Sequence, residues 1–341
     1  MAARETIRSI QYVRAVAALV VIVWHTGWAR TVLGQSGVDL FFVVSGFVMM
    51  LVSGRESSPI SFGLARFARI APLYWAVTLL IALIDHSPVQ KVMTSLLFWP
   101  DGQFPLVIQG WSLNLEMSYY ALFASTLLAP VRWRVPMLSA EMLIVCVALP
   151  IIAPGSKAIA AWASPQGFEF LAGAGLYLLW QRQRLPIGWT AWLIGALGVG
   201  ALMLTHLLGG APEHWLRVVL WGVPALVIVA AGLGIERAGQ LPRSRLLEKL
   251  GEASYSIYLT HFLLIRAIGG VLVTLWAPVA VSLIVVIACL LGLVVHQLFE
   301  RPVHRWSSGV LARARDRQDR HRPLDRPYLS LDDVPPRDVG A

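Results

Sequence analysis

Charge is scarce in this chain of 341 residues: only 14% are Asp, Glu, Lys or Arg, where an ordinary soluble domain carries about 25%. That scarcity excludes a soluble globular domain. Cysteine is nearly missing as well. The two present, Cys146 and Cys289, both lie inside apolar runs, which leaves neither a disulfide framework nor a metal-ligand spacing, so they are read as small buried hydrophobes and no metal is expected. Acidic residues are in the minority, 19 against 28 Lys and Arg, for a net charge of +9. Such an excess could suit nucleic acid, but in a membrane protein basic residues collect in cytoplasmic loops to set orientation, and nucleic-acid binding is not expected. A short apolar leader ending at a small-residue cleavage site is absent too. The first apolar stretch starts near Ile10 and runs on for about 20 residues, as an anchor that stays would.

What the chain does have is apolar length: 57% of its residues are hydrophobic and the mean hydropathy is +0.66. Stretches of about spanning length are set at Ile10–Ala29, Gly37–Ser53, Ala71–Ile84, Trp111–Ala129 and Val135–Ala153. Five more follow at Gln166–Gln181, Ile187–Leu208, Trp215–Ile235, Ala253–Trp276 and Ala277–Leu298. The fold expected is an all-α integral membrane bundle of about ten transmembrane helices.

The Lys and Arg of the loops test this topology, because alternate loops must differ if it is right. One set holds Arg4, Arg8, Arg55, Arg66, Arg69, Arg132, Arg134, Arg182, Arg184, Arg237, Arg243, Arg245, Lys249 and nine arginines from Arg301 to Arg337. The other holds only Arg30, Lys91, Lys157 and Arg217, while Arg14 and Arg266 fall inside helices. The basic set, and with it both termini, is expected in the cytoplasm. Phe62–Ile70, with arginines three apart among apolar residues, reads as an amphipathic helix lying in the cytoplasmic interface. The transmembrane domain is expected to cover residues 1–302. Residues 303–341, rich in Arg, Asp and Pro, read as a disordered cytoplasmic tail.

Ionisable side chains inside a membrane helix are costly unless they face a partner or a wet cavity, which marks them as functional candidates. Arg14 and His25, eleven residues apart, share one face of the first helix, about 16 Å apart along its axis. The second helix enters from the outside with Asp39 near its end and Ser45 near mid-depth. Glu116 lies about 7 Å beyond Trp111 in the fourth. Glu169 starts the sixth, and His261 comes in from the cytoplasmic end of the ninth. Each has a plainer reading. A lone His, Asp or Glu can be a hydrogen-bond partner between helices, Trp111 an anchor in the aromatic belt, and Arg66 and Arg69 topology-setting charges.

Several of these residues stand in recognisable runs. Arg14 followed by His25, then Gly37-Val-Asp-Leu-Phe-Phe-Val-Val-Ser-Gly-Phe47, resembles the opening of acyltransferase family 3. So do Arg66-Phe-Ala-Arg-Ile-Ala-Pro-Leu-Tyr-Trp75, Trp111-Ser-Leu-Asn-Leu-Glu-Met-Ser-Tyr-Tyr120, Ser254-Tyr-Ser-Ile-Tyr-Leu-Thr-His261 and Phe299-Glu-Arg-Pro302, in the family's order from Ile7 to Pro302. Within the family the chain looks most similar to bacterial exopolysaccharide acetyltransferases without an added extracytoplasmic domain. Two departures, Asn114-Leu115 and Ala71, leave the motifs intact.

The resemblance implies transfer of an acyl group, commonly acetyl, from cytoplasmic acyl-CoA to a hydroxyl of a polysaccharide or lipid-linked glycan at a bacterial inner membrane. It implies no bound cofactor, since acyl-CoA is a substrate. Membrane lipids are expected partners, and a homodimer is compatible with the sequence. The family's first-helix pair maps to Arg14 and His25, its arginine motif to Arg66 and Arg69, and its tryptophan motif to Trp111, Ser112 and Glu116. A neutral imidazole can take the acceptor's proton, so His25 is the expected base, with Glu116 or Asp39 orienting it. Arg66 and Arg69 would hold CoA phosphates and Arg14 the pantetheine arm, with Ser45 and His261 as further substrate contacts. Direct transfer and a relay through an acylated His25 both fit these groups, and a proton-coupled transporter or flippase of an envelope precursor is the alternative from another class.

Overall fold

A computed structural model of the chain describes residues 7–27, 33–54, 58–99, 102–209, 211–272 and 274–320. Among the described residues every regular element is helical. Helix α1 (Arg8–His25) leads through a short 3₁₀ turn, Leu33–Gln35, into α2 (Ser36–Ser53), then α3 (Pro59–Ile84), α4 (Val89–Leu96) and α5 (Gly110–Thr126). A long rod follows from α6 (Val131–Leu143) through a π-helical segment into α7 (Leu149–Ile152), and the short α8 (Lys157–Trp162) leads to α9 (Gly167–Gln181) and α10 (Trp189–Leu208). Helix α11 (His214–Arg217) passes through a π turn, Val218–Gly222, into α12 (Val223–Arg237). The chain ends with α13 (Arg245–Glu252), α14 (Ser254–Leu272), α15 (Ala277–Val295), a π turn at His296–Glu300 and α16 (Arg301–Arg320).

Among the described residues, seven helical segments are long and apolar enough to cross a bilayer: Leu33–Ser53, Pro59–Ile84, Val131–Ile152, Trp189–Leu208, His214–Arg237, Ser254–Leu272 and Ala277–Val310. The three remaining expected spans fall on α1, α5 and α9, which are only 18, 17 and 15 residues long. These shorter helices carry Arg14 and His25, Glu116, and Glu169. Neighbouring helices cover them, so their sequences need not satisfy lipid. The lipid-like surface lies elsewhere, in exposed Leu79, Leu80 and Leu83 of α3, Leu193, Leu197 and Leu204 of α10, and Leu290 and Val294 of α15.

Small residues let the central helices close on one another. Helix α1 buries Ala15, Ala17 and Ala18 and packs against α2, α12, α13 and α14. Where α2 crosses α9, a Cβ on Gly46 would stand 1.8 Å from the Phe170 carbonyl oxygen, and one on Gly173 would stand 2.0 Å from that of Val43. The two backbones therefore touch, as small residues permit in membrane bundles.

Helix α3 corrects one expectation. The interfacial helix at Phe62–Ile70 and the short span at Ala71–Ile84 are a single rod of 26 residues, started by Pro59 and by Ser58 Oγ, which accepts from the Ser61 amide. Pro72 sits inside this rod without ending it, which a packed membrane helix tolerates. Arg66 and Arg69 are consequently part of a spanning helix. Helix α16 likewise runs through Arg301–Arg320, the first part of the segment expected to be a loose tail, and residues 321–341 lie outside the described ones. Arg266, read as a charge inside a helix, is half-exposed near the far end of α14, where its guanidinium donates to both Asp85 oxygens at 2.9 and 2.7 Å.

Candidate active site

A cavity of about 100 Å³ opens between α1, α2, α3, α5 and α14. By volume it could hold several waters. Arg14 and Arg69 reach into it from α1 and α3, Ser45 from α2, Ser112, Glu116 and Tyr120 from α5, and Tyr255 and Tyr258 from α14. Glu116 Oε1 accepts from Ser45 Oγ at 2.6 Å and from the Tyr120 hydroxyl, so α2 and α5 are joined on the wall. Tyr255 ties α14 to α3 by donating to the Ile70 carbonyl at 2.6 Å. Ser112 Oγ and the Tyr258 hydroxyl are 2.8 Å apart, and both reach the Gln109 carbonyl. With two guanidiniums to one carboxylate, the lining suits an anionic or carbonyl-bearing guest.

His25 sits farther along α1. Gly27, at φ +70°, and the Gly27 amide bonded to the Trp24 carbonyl at 3.1 Å stop the helix directly after it, which leaves the imidazole at the helix mouth. Its partner comes from α14: His261 Nε2 is 3.2 Å from His25 Nδ1, with the ring centroids 4.8 Å apart. His25 Nδ1 also lies 2.9 Å from the Val21 carbonyl, and His261 Nδ1 lies 3.3 Å from that of Ile257. Carbonyls only accept, so the pattern that satisfies every contact puts a proton on both Nδ1 atoms. The His25 Nδ1–H is then shared between the Val21 carbonyl and His261 Nε2, and His25 Nε2, with no hydrogen-bond partner among the described residues, carries the lone pair. Tyr258 links this pair to the cavity, its ring lying 5.9 Å from that of His261.

The expectation that Glu116 or Asp39 orients His25 is corrected by these contacts. Glu116 is held by Ser45 and Tyr120. Asp39, fully buried, receives Arg217 Nε at 3.0 Å and Nη2 at 2.8 Å. Arg217 Nη2 also donates to the Gln35 carbonyl at 3.3 Å, and its guanidinium lies 5.0 Å from the centre of the Trp221 ring and 5.8 Å from that of Trp111. Glu169, also buried, stands beside Asp39 and Arg217; Gly222 makes room for it, because a Cβ there would fall 2.8 Å from Glu169 Oε1. Arg217, counted as a loop charge, is thus a buried helical residue. Trp111 stands beside this group and not on the cavity, and Arg66 lies over the Phe62 ring while Arg69 lines the cavity.

Sequence reasoning missed Arg217, Tyr120, Tyr255 and Tyr258. The tyrosines were within reach: Tyr255, Tyr258 and His261 recur every three residues in one run, and Glu116 and Tyr120 are four apart, so each set shares a helical face. Nothing local marked Arg217, whose partner is 178 positions away.

Fold and site together define a polytopic helical membrane protein whose ionisable groups turn inward onto a cavity and an imidazole pair. A family model described as an acyltransferase domain matches residues 7–298, and the chain belongs to this family, acyltransferase family 3. It is an acyltransferase, which decides against the transporter alternative. The exopolysaccharide production protein ExoZ of Rhizobium meliloti is 33% identical over 305 residues, covering 83% of this chain and 95% of that protein. BcsY of Komagataeibacter xylinus is 28% identical over 304 residues, covering 75% of this chain and 72% of its own. The peptidoglycan O-acetyltransferase OatA of Listeria monocytogenes is 22% identical over 219 residues, 53% of this chain and 35% of its own. No solved structure matches.

Proposed function

We propose that the protein moves an acyl group, acetyl in the first instance, from cytoplasmic acyl-CoA to a hydroxyl of an exopolysaccharide or related envelope glycan. Ten helices cross a bacterial inner membrane in this reading, with both termini in the cytoplasm. Arg8 of α1 and the arginines after α9, α12 and α15 then face the cytoplasm, and His25 faces the outer half. Residues 1–302 form the catalytic domain and the segment from residue 303 a cytoplasmic tail. The names of ExoZ and OatA support the glycan acceptor, and the positive-inside distribution of Lys and Arg supports the orientation.

The observation that carries the reading is the placement of His25 Nδ1, 2.9 Å from the Val21 carbonyl and 3.2 Å from His261 Nε2; with the proton assigned to Nδ1, Nε2 is the basic nitrogen. The donor enters at the Arg8 end, and its acyl arm rises along α1 from Arg14 toward His25, a distance of about 16 Å. Nε2 takes the proton of the acceptor hydroxyl as its oxygen bonds to the thioester carbon. The C–S bond then breaks and the imidazolium returns the proton to the leaving CoA thiolate, giving an ester and a thiol. His261 holds the reactive tautomer in the place a carboxylate occupies in other His-centred sites, without adding charge. Arg14 and Arg69 favour the negative charge of the donor at the cytoplasmic part of its path.

Purified protein supplied with radiolabelled acetyl-CoA and a glycan acceptor tests this: wild type should yield an alkali-labile labelled glycan, and His25→Gln should not. Full transfer by His25→Gln would overturn the mechanism.

A further inference from the structure

Helix α5 has a second wet face. Ser112, Leu113 and Glu116 look into the arginine cavity, whereas Trp111, Asn114 and Leu115, spaced i, i+3 and i+4, line a separate basin of about 510 Å³ at the His25 end of the bundle. That volume is within the range of small-ligand sites, roughly 300–1,000 Å³. Gln103, Phe104, Gln166 and His214 complete its polar and aromatic lining, and among the described residues no Asp, Glu, Lys or Arg lines it.

We propose that this basin is the docking subsite for neutral, non-reacting sugar units of the acceptor. The inference rests on the O-acyl-transfer reading and adds where, and by what chemistry, the acceptor is held. Gln103 Oε1 accepts from Lys91 Nζ at 3.2 Å and Gln166 Oε1 from Ser164 Oγ, but side-chain amides carry N–H donors as well, which match sugar hydroxyls, and an aromatic face, negative at its centre, packs against the C–H face of a sugar ring. Asn114 Oδ1 has no hydrogen-bond partner among the described residues, and a sugar hydroxyl would supply the missing donor. An ionic ligand is ill matched here. It would suit the basin at the opposite end, which Arg8, Arg237, Arg243 and Arg245 line.

The basin communicates with the imidazole pair through a row of touching groups. Trp111 lies 5.8 Å from the Arg217 guanidinium, which bonds the Gln35 carbonyl at 3.3 Å. The next residue, Gly34, is pressed so closely on Trp24 that a Cβ would fall 2.1 Å from that of Trp24, and the Trp24 and His25 rings are 4.3 Å apart. A polymer is long enough to bridge such a distance, with one unit at His25 and its neighbours in the basin. Binding those neighbours would supply the energy that positions the reacting hydroxyl.

The test uses full-length protein in detergent and a panel of neutral tetrasaccharides built from glucose, galactose or N-acetylglucosamine, with binding read by calorimetry and acetyl-CoA turnover measured in the same preparations. Phe104→Ala and Gln103→Ala change exposed side chains, and Asn114→Leu removes the unpartnered amide. Wild type should bind at least one member of the panel saturably, and Phe104→Ala with Asn114→Leu should weaken it by about tenfold or more. Equal affinity in wild type and variants overturns the proposal, as does a wild type that turns over acetyl-CoA and ignores the whole panel. Binding that depends on Phe104, in protein that never turns over the thioester, would keep the basin and defeat the transfer reading instead.

Discussion

His261 Nε2 and His25 Nδ1 lie 3.2 Å apart although 236 positions separate them in the chain. In the proposed mechanism α14 thus supplies the group that sets which nitrogen of His25 takes the acceptor's proton. Replacing His261 should lower transfer without altering donor affinity. His261→Gln keeps an acceptor oxygen and should retain part of the rate, whereas His261→Phe should approach the loss expected for His25→Ala, roughly 10²- to 10⁴-fold. Both need checking for monodisperse, folded protein, because His261 is fully buried. Equal rates in the Gln and Phe variants would reduce His261 to packing.

Arg66 and Arg69 separate in the structure, which the motif could not reveal. Arg69 lines the cavity with Arg14, and Arg66 stacks on Phe62. Arg69→Gln should therefore raise the apparent Kd for acyl-CoA by at least about tenfold, the loss of one charge-assisted contact, while Arg66→Gln should cost less. Arg69→Lys should rescue only partly, because a point charge replaces a planar fork. Equilibrium binding in detergent measures all three, and a larger effect at Arg66 would reverse the assignment.

Glu116 contacts Ser45 and Tyr120 and not His25, so the two residues should act separately. The free-energy effects of Glu116→Gln and His25→Gln on kcat/KM should add within about 0.5 kcal/mol. A carboxylate orienting the imidazole would instead make the double variant no worse than His25→Gln alone. Tyr120→Phe should reproduce most of the Glu116→Gln defect, since it removes one of the two donors that hold the carboxylate.

Much of this arrangement was legible in the sequence, and the limit has a physical cause. Hydrophobic length gave the spans, and the spacing of Arg14 and His25 gave a shared helical face; the structure keeps both residues on α1, where they meet the cavity and α14. Helical periodicity says which residues share a face but not which face another helix meets. Asp39 was accordingly assigned to His25 when its partner is Arg217, and His261 was grouped with the substrate contacts when it holds His25. Arginines three apart among apolar residues made Phe62–Ile70 read as a separate interfacial helix, yet α3 continues from it through Pro72 to Ile84.

The α2–α9 crossing makes a prediction about stability alone. Gly46→Ala would drive a methyl group into the Phe170 carbonyl, and backbone on both sides leaves no flexible side chain to give way. The expected loss is about 1–3 kcal/mol, read as a lower thermal midpoint in detergent. Gly54→Ala, at the end of the same helix with no atom within 4 Å of its added Cβ, serves as the control and should be tolerated. Equal midpoints for the two variants would mean that α2 and α9 do not touch through backbone.

Asp39 and Arg217 form a buried pair with two hydrogen bonds, at 3.0 and 2.8 Å, and in such pairs removing one member costs more than removing both. Arg217→Gln leaves Asp39 and Glu169 facing each other without a cation and should destabilise the protein by roughly 3–5 kcal/mol. Asp39→Asn alone leaves the guanidinium buried without its counter-charge and should be similarly damaging. The double variant Asp39→Asn/Arg217→Gln replaces the ion pair by two amides that can hydrogen-bond, and its thermal midpoint should recover most of the way to wild type. The same set also decides the role of Asp39. A carboxylate serving His25 would, as Asn, give folded protein with slow transfer and no rescue by Arg217→Gln, whereas a clamp between α2 and α11 gives loss of fold that the second substitution repairs. Midpoint and kcat, measured on all four proteins of the cycle, distinguish these patterns, and recovery of stability in the double variant is the outcome the geometry demands.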